Sequence, residues 1–143
     1  MKASAVRYLC DTGPLVAAFW PEDRWHAWSR SALDSLGTPV FTTETVLAEA
    51  AHFLKPRLDV LLQLFTAIQI GHIQFVPVYP RHIARAAALV VKFAPRMDVA
   101  DASLVILSEL HPRARLLTID RADFTLYRRR DGRAVPCLMP PLP

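Results

Sequence analysis

The sequence predicts an α/β fold, with a central, mostly parallel sheet flanked by helices on both faces. Two observations carry the prediction. Short apolar runs bounded by turn residues alternate with longer stretches of helical periodicity, the pattern of successive strand–helix units. The chain has 143 residues, 52% hydrophobic and 21% charged, which is long enough for a core and too apolar for disorder. Residues 1–143 are expected to form a single domain, since neither an internal repeat nor a linker interrupts them.

Val6–Cys10 reads as a buried strand, followed by the turn Asp11-Thr12-Gly13-Pro14. Pro14 suits a first helical turn, so a short helix through Leu15–Phe19 is expected. Pro21-Glu22-Asp23 opens a second helix to about Leu36, with Gly37 as its stop. Pro39–Phe41 is a short strand, and Thr42 or Thr43 can cap a helix through Leu54 that Pro56 limits. Leu58–Ile70 is a strongly apolar helix ending at Gly71, and His72–Val76 is a strand. Arg81–Phe93 and Asp98–Leu110 are the next two helices, separated by Pro95. Arg115–Ile119 is a strand ending at Asp120, Arg128–Gly132 a charged turn, and Ala134–Leu138 a last strand.

Bulk charge narrows the class of partner. There are 17 basic and 13 acidic residues, a net charge of +4. If several of those acids share one pocket, the remaining surface is strongly basic, which suits a polyanion such as nucleic acid. Taken alone, a charge of this size equally serves solubility. Cys10 and Cys137 are the two cysteines, too few for a disulfide scaffold, and Cys10 reads as a packed free thiol. No signal-peptide pattern and no membrane-length apolar run is visible, so a cytoplasmic protein that does not engage a membrane is expected.

Four acids stand where folding does not need a charge: Asp11, Glu49, Asp101 and Asp120. Strand ends and helix starts of a parallel sheet can bring such residues to one crevice. Carboxylates without a Cys/His ligand set suit Mg²⁺ or Mn²⁺. Each has a plain structural alternative. Asp11 could be a turn or a helix cap before Pro14. Glu49 shares a helix face with Val46, Ala50 and Phe53, so it needs either a cation or a salt bridge to an Arg. Asp98 and Asp101 fit the N-cap and N3 positions of one helix, with Asp101 favoured as ligand and Asp98 as cap. Asp120 has a competitor in Asp123, and Thr118 could orient a carboxylate or water. His26, His52, His72, His82 and His111 show no metal spacing and are read as structural.

The ordered set Asp11-Thr12-Gly13-Pro14, Thr43 to Glu49, Met97-Asp98-Val99-Ala100-Asp101-Ala102 and Leu117-Thr118-Ile119-Asp120 with Asp123-Phe124 resembles the PIN-domain ribonucleases. The resemblance is greatest to the VapC toxins of toxin–antitoxin pairs and covers nearly the whole chain. It implies a three-layer PIN-like sandwich, an acidic Mg²⁺ or Mn²⁺ site and cleavage of single-stranded RNA. It also implies a homodimer and a cognate antitoxin. The family's acids fall on Asp11, Glu49, Asp101 and Asp120, with Asp98 and Asp123 as alternatives for the last two. Asp11 and Asp101 are the expected metal contacts, with Glu49 and Asp120 completing the shell and Thr12 and Thr118 in support. One ion or two is left open.

Arg96, Arg121, Arg128, Arg129 and Arg130 flank the last two acidic motifs and are candidates for RNA phosphate, though the 128–130 run also fits a solvated turn. The Trp-bearing early helices and the Leu58–Ile70 helix offer an apolar groove for an antitoxin segment. Two other classes use similar acids: a metal-dependent phosphohydrolase acting on a small substrate, and a catalytically silent PIN-like module that binds RNA or protein. A receiver-like acidic pocket is weaker, since Asp120 stands where such a pocket has Lys.

Overall fold

The computed structural model describes residues 5–143. Its elements run β1 (Tyr8–Cys10), α1 (Thr12–Ala17), α2 (His26–Ser35), β2 (Val40–Thr42), α3 (Glu44–Leu54), α4 (Leu58–Gln69), β3 (Ile73–Phe75), α5 (Ile83–Lys92), α6 (Val99–Leu110), β4 (Arg115–Leu117), α7 (Arg121–Leu126) and β5 (Cys137–Leu138). The five strands form one sheet in the order β3-β2-β1-β4-β5. Every pairing is parallel, with Leu9 opposite Phe41 on one side and Leu116 on the other. The expected mostly parallel sheet is thus wholly parallel among the described residues.

This strand order sets the site. From β1 the chain builds outward through β2 to β3, then returns to the other side of β1 for β4 and β5. The direction reverses at the β1–β4 seam, and ligands of open parallel sheets bind beyond the carboxyl ends of the strands at such a point.

Local chemistry explains most boundaries. The Thr43 hydroxyl caps α3 by accepting from Val46 N at 3.3 Å, and Asp98 caps α6 by accepting from Asp101 N at 2.8 Å. Gly37 and Gly71 follow α2 and α4 with φ of +66° and +86°, a backbone region where only Gly is free of Cβ strain. Helix α6 is the central packing element, with Ala100 and every residue from Ala102 to Ser108 buried. It packs on α3, α5 and β4, and its Leu104, Val105 and Leu107 are fully buried alongside Leu9, Leu116 and Leu117.

Several expectations change. The first helix spans Thr12–Ala17 rather than Leu15–Phe19, and β3 and β4 shorten to Ile73–Phe75 and Arg115–Leu117. The second helix does not open at Pro21. Residues 20–25 instead form turns, with Asp23 N bonded to Trp20 O and the Asp23 carboxylate accepting from Trp25 N at 2.8 Å. The first and last strands shorten to Tyr8–Cys10 and Cys137–Leu138. The helix expected over Arg81–Phe93 covers Ile83–Lys92. Helix α7 was not anticipated: Asp120 does not end a strand, since β4 stops at Leu117, but caps α7, its carboxylate accepting from Asp123 N at 3.0 Å.

Candidate active site

Asp11 leaves the carboxyl end of β1, and its backbone N–H bonds Leu117 O of β4 at 2.9 Å. The sheet therefore fixes its backbone at the seam. Its side chain is 7% exposed. One carboxylate oxygen accepts from Thr12 N and the other from the Thr118 hydroxyl, each at 2.8 Å. The same Thr118 hydroxyl accepts from Asp120 N at 3.0 Å, so one oxygen couples the ends of β1 and β4. Burial pushes the Asp11 carboxyl up to about 6; the two hydrogen bonds oppose that, and the Glu49 and Asp120 charges add to it.

Asp101 stands in the first turn of α6. Its Oδ2 accepts from the Tyr127 hydroxyl at 2.7 Å. Burial pushes its carboxyl up to about 7; the Tyr127 bond opposes the rise, and the charges of Asp98, Asp11 and Asp123 add to it. Asp101, on a different element, thus feels the charge of Asp11. The α3 and α6 starts are pinned together where Thr43 Oγ1 and Ser103 Oγ meet at 2.8 Å.

Glu49 is half-buried on α3, and its carboxyl is raised by burial and then by the Asp98 charge. The expected reason for its burial needs correction. The core stripe of α3 is Val46, Ala50 and Leu54, whereas Phe53 is 55% exposed. Glu49 therefore lies on the flank of the apolar face, turned toward the acids. Among the described residues no Arg or Lys forms a salt bridge with it. The Thr12 hydroxyl is near enough to favour ionised Glu49, yet Thr12 Oγ1 is buried without a well-aligned hydrogen bond. We read this as an approach short of a bond.

Asp120 and Asp123 sit side by side at the start of α7. Asp123 is raised by burial and then by Asp120, against the pull of Arg96. Arg96 Nε lies 3.0 Å from Asp123 Oδ1, so Asp123 already has a cationic partner. Asp98 is exposed and serves as the α6 cap.

Oxygen-only donors, repulsion among carboxylates and an orphaned hydroxyl at Thr12 fit a hard divalent cation. Among the described residues no three His, Cys, Asp or Glu side chains come close enough together to hold a metal ion.

No protein-family model matches the chain. Over 127 residues it is 27% identical to Ribonuclease VapC26 of Mycobacterium tuberculosis (strain ATCC 25618 / H37Rv), covering 87% of this chain and 94% of the relative. The crystal structure of Mycobacterium tuberculosis VapC20, a Sarcin-Ricin loop cleaving toxin, aligns with a TM-score of 0.65 at 18% identity, covering 76% of this chain and 86% of that one. The fold is PIN-like. The resemblance to VapC-type PIN-domain ribonucleases read from the motifs is borne out by both matches.

Around this PIN-like seam the arginine candidates separate. Arg96 is exposed beside the acids. Arg121 is partly buried and donates to Pro140 O, holding the C-terminal segment. Arg128 donates to the carbonyls of Thr125, Leu126 and Tyr127, closing the end of α7. Arg130 is exposed, and its backbone N–H bonds Glu109. Arg129 is a correction: it is 7% exposed and donates to Ser108 O and Pro112 O, so its guanidinium is committed to the protein interior. Tyr127 and Ser103 were missed. The signal for Tyr127 was present, since Asp120-x-x-Asp123 repeats the cap pattern of Asp98-x-x-Asp101 and Phe124 and Tyr127 follow at helical spacing.

Proposed function

We propose that this chain is a Mg²⁺- or Mn²⁺-dependent endoribonuclease that cleaves single-stranded or loop RNA, the toxin of a toxin–antitoxin pair. The observation that carries the reading is Asp11 held at the β1–β4 seam with Asp101 near enough for the Asp11 charge to act on it, burial lifting the two carboxyls to about 6 and about 7. A cation beside such a pair offsets the cost of ionising both carboxyls. Similarity to a ribonuclease and to a toxin that cleaves the Sarcin-Ricin loop supports RNA as the substrate class.

Asp11 and Asp101 would hold the cation, with Glu49 and Asp120 completing its surroundings. The bound ion would supply Lewis acidity at the scissile phosphate. Thr118 orients Asp11 by donating to its Oδ2. Glu49, whose proton affinity burial and Asp98 raise, is assigned to take the proton of the attacking water. Arg96 is assigned to meet the substrate phosphate, since it is exposed beside the acids. An antitoxin segment has a candidate seat in a groove of about 680 Å³ between α2 and α4, floored by Phe19, Leu33, Val40, Ala67 and Ile73. A homodimer is part of the same proposal and is tested by the mass of the purified chain in solution.

The test uses the purified chain, free of partner proteins, on structured RNAs with Mn²⁺ or Mg²⁺. Cleavage is expected to vanish on chelation and in Asp11→Asn. Cleavage at the wild-type rate by the Asp11→Asn and Glu49→Gln proteins overturns the mechanism. No cleavage of any RNA by a folded, metal-binding chain overturns the nuclease assignment.

A further inference from the structure

Tyr127 is fully buried, and its ring meets Phe93 and Phe124 edge-on, with centroids 5.3 and 5.2 Å away. Those two contacts satisfy the ring. They leave the hydroxyl to be placed, and a buried phenol must find an acceptor. It finds Asp101 Oδ2 at 2.7 Å, a carboxylate on another helix, and a hydrogen bond to a charged acceptor is among the stronger kinds.

The location makes this more than a satisfied core group. Tyr127 ends α7, the helix that carries Asp120 and Asp123, and its backbone N–H bonds Asp123 O at 3.0 Å. Its ring packs on Phe93, whose carbonyl accepts from Arg96 N at 2.9 Å. One side chain therefore joins the α5–α6 turn, the start of α6 and the end of α7. With Oδ2 engaged, Asp101 can rotate only by breaking that bond.

We propose that Tyr127 is a positioning residue that fixes the Asp101 carboxylate for cation binding, an inference that rests on the metal-dependent reading above. Hydrogen bonds from such outer groups commonly govern metal affinity by about 10–100-fold. A hydroxyl that only satisfied the core would alter stability and leave metal affinity alone.

Mn²⁺ affinity is measured by titration, following free Mn²⁺ by electron paramagnetic resonance, for the wild-type chain, Tyr127→Phe, Asp101→Asn and the double variant. Phe keeps the ring contacts and removes only the hydroxyl. Binding is expected to weaken about 10–100-fold in Tyr127→Phe, with no further loss when the change is added to Asp101→Asn. Wild-type affinity in Tyr127→Phe, or an equal loss in the Asp101→Asn background, overturns the inference while leaving the metal site standing. A wild-type chain that binds no Mn²⁺ overturns both. Should Tyr127→Phe fail to fold, the wild-type chain is labelled with 3-fluorotyrosine, and the ¹⁹F resonance of Tyr127 is assigned by elimination with Tyr8→Phe and Tyr79→Phe. That resonance is expected to move on Mg²⁺ addition and to stay still in Asp101→Asn; indifference to Mg²⁺ in the wild type overturns the proposal.

Discussion

At Asp11, burial and hydrogen bonding act in opposite directions, and burial wins. The carboxyl rises from 3.8 to about 6 despite its bonds to Thr118 and Thr12. Asp101 rises from 3.8 to about 7 for the same leading reason. A group whose folded pKa is raised contributes stability that is fully present below its unfolded pKa. That contribution is lost as pH rises through the folded value. The two acids therefore weaken the metal-free protein progressively between about pH 4 and pH 7. Glu109 acts oppositely, since Arg85 and Arg130 N–H hold its carboxyl down, so the informative quantity is the difference between variant and wild type. In chelator at pH 8, Asp11→Asn is expected to stabilise the chain by roughly 1–2 kcal/mol, and at pH 4 the gain should disappear. Thermal melts at both pH values check this, and a loss of stability at pH 8 would contradict the assigned burial. Metal affinity should follow the same groups, rising with pH through about 6 to 7 as protons leave.

The elements were legible where a cap or breaker marked them. Thr43, Asp98, Gly37 and Gly71 set ends of α2, α3, α4 and α6 within a residue of the expected place. Helix α7 was not legible because six residues give too little periodicity, although its cap pattern matched that of α6. The flank position of Glu49 was also hidden. A stripe of Val46, Ala50 and Leu54 runs at i, i+4 and i+8, and only packing decides whether Phe53 joins it. What no local pattern discloses is how tightly α1 approaches the β4–α7 turn. A Cβ placed on Gly13 would lie 2.6 Å from Ile119 Cγ1 and 2.8 Å from its Cδ1, so Gly13 permits close contact between the segments carrying Asp11 and Asp120. Gly13→Ala is expected to destabilise the chain by about 1–3 kcal/mol through overpacking and to lower cleavage by separating the acids. Adding Ile119→Ala removes both clashing atoms and should recover most of the cleavage, at a separate cost in stability. Gly13→Ala with wild-type melting and activity would refute the close-approach argument.

Over the whole molecule, charge is divided rather than balanced. Asp11, Glu49, Asp98, Asp101, Asp120 and Asp123 account for six of the 13 acids, leaving seven elsewhere against 17 basic residues. On the proposed function, that excess of basic residues would favour RNA, while the acids of the seam would repel phosphate until a cation is present. The fold assigns different parts to the arginines that sequence order alone had grouped. Arg96 is exposed at the seam and shared with Asp123, whereas Arg129 braces the end of α6 from within. Their replacement by Ala should therefore separate binding from stability. In an Asp101→Asn chain, expected on the proposed function to bind RNA without cleaving it, Arg96→Ala is expected to weaken RNA binding and to reduce the slope of log affinity against log salt by about one. Its melting temperature should hardly change, since an exposed ion pair contributes about 0–1 kcal/mol. Arg129→Ala should leave the salt slope intact and lower stability by about 1–3 kcal/mol, because it strands the Ser108 and Pro112 carbonyls. Binding isotherms over a salt series and thermal melts on the same preparations decide it. A reduced salt slope in Arg129→Ala would mean that its guanidinium reaches RNA after all, and the buried bonds to Ser108 and Pro112 would have to open in the complex.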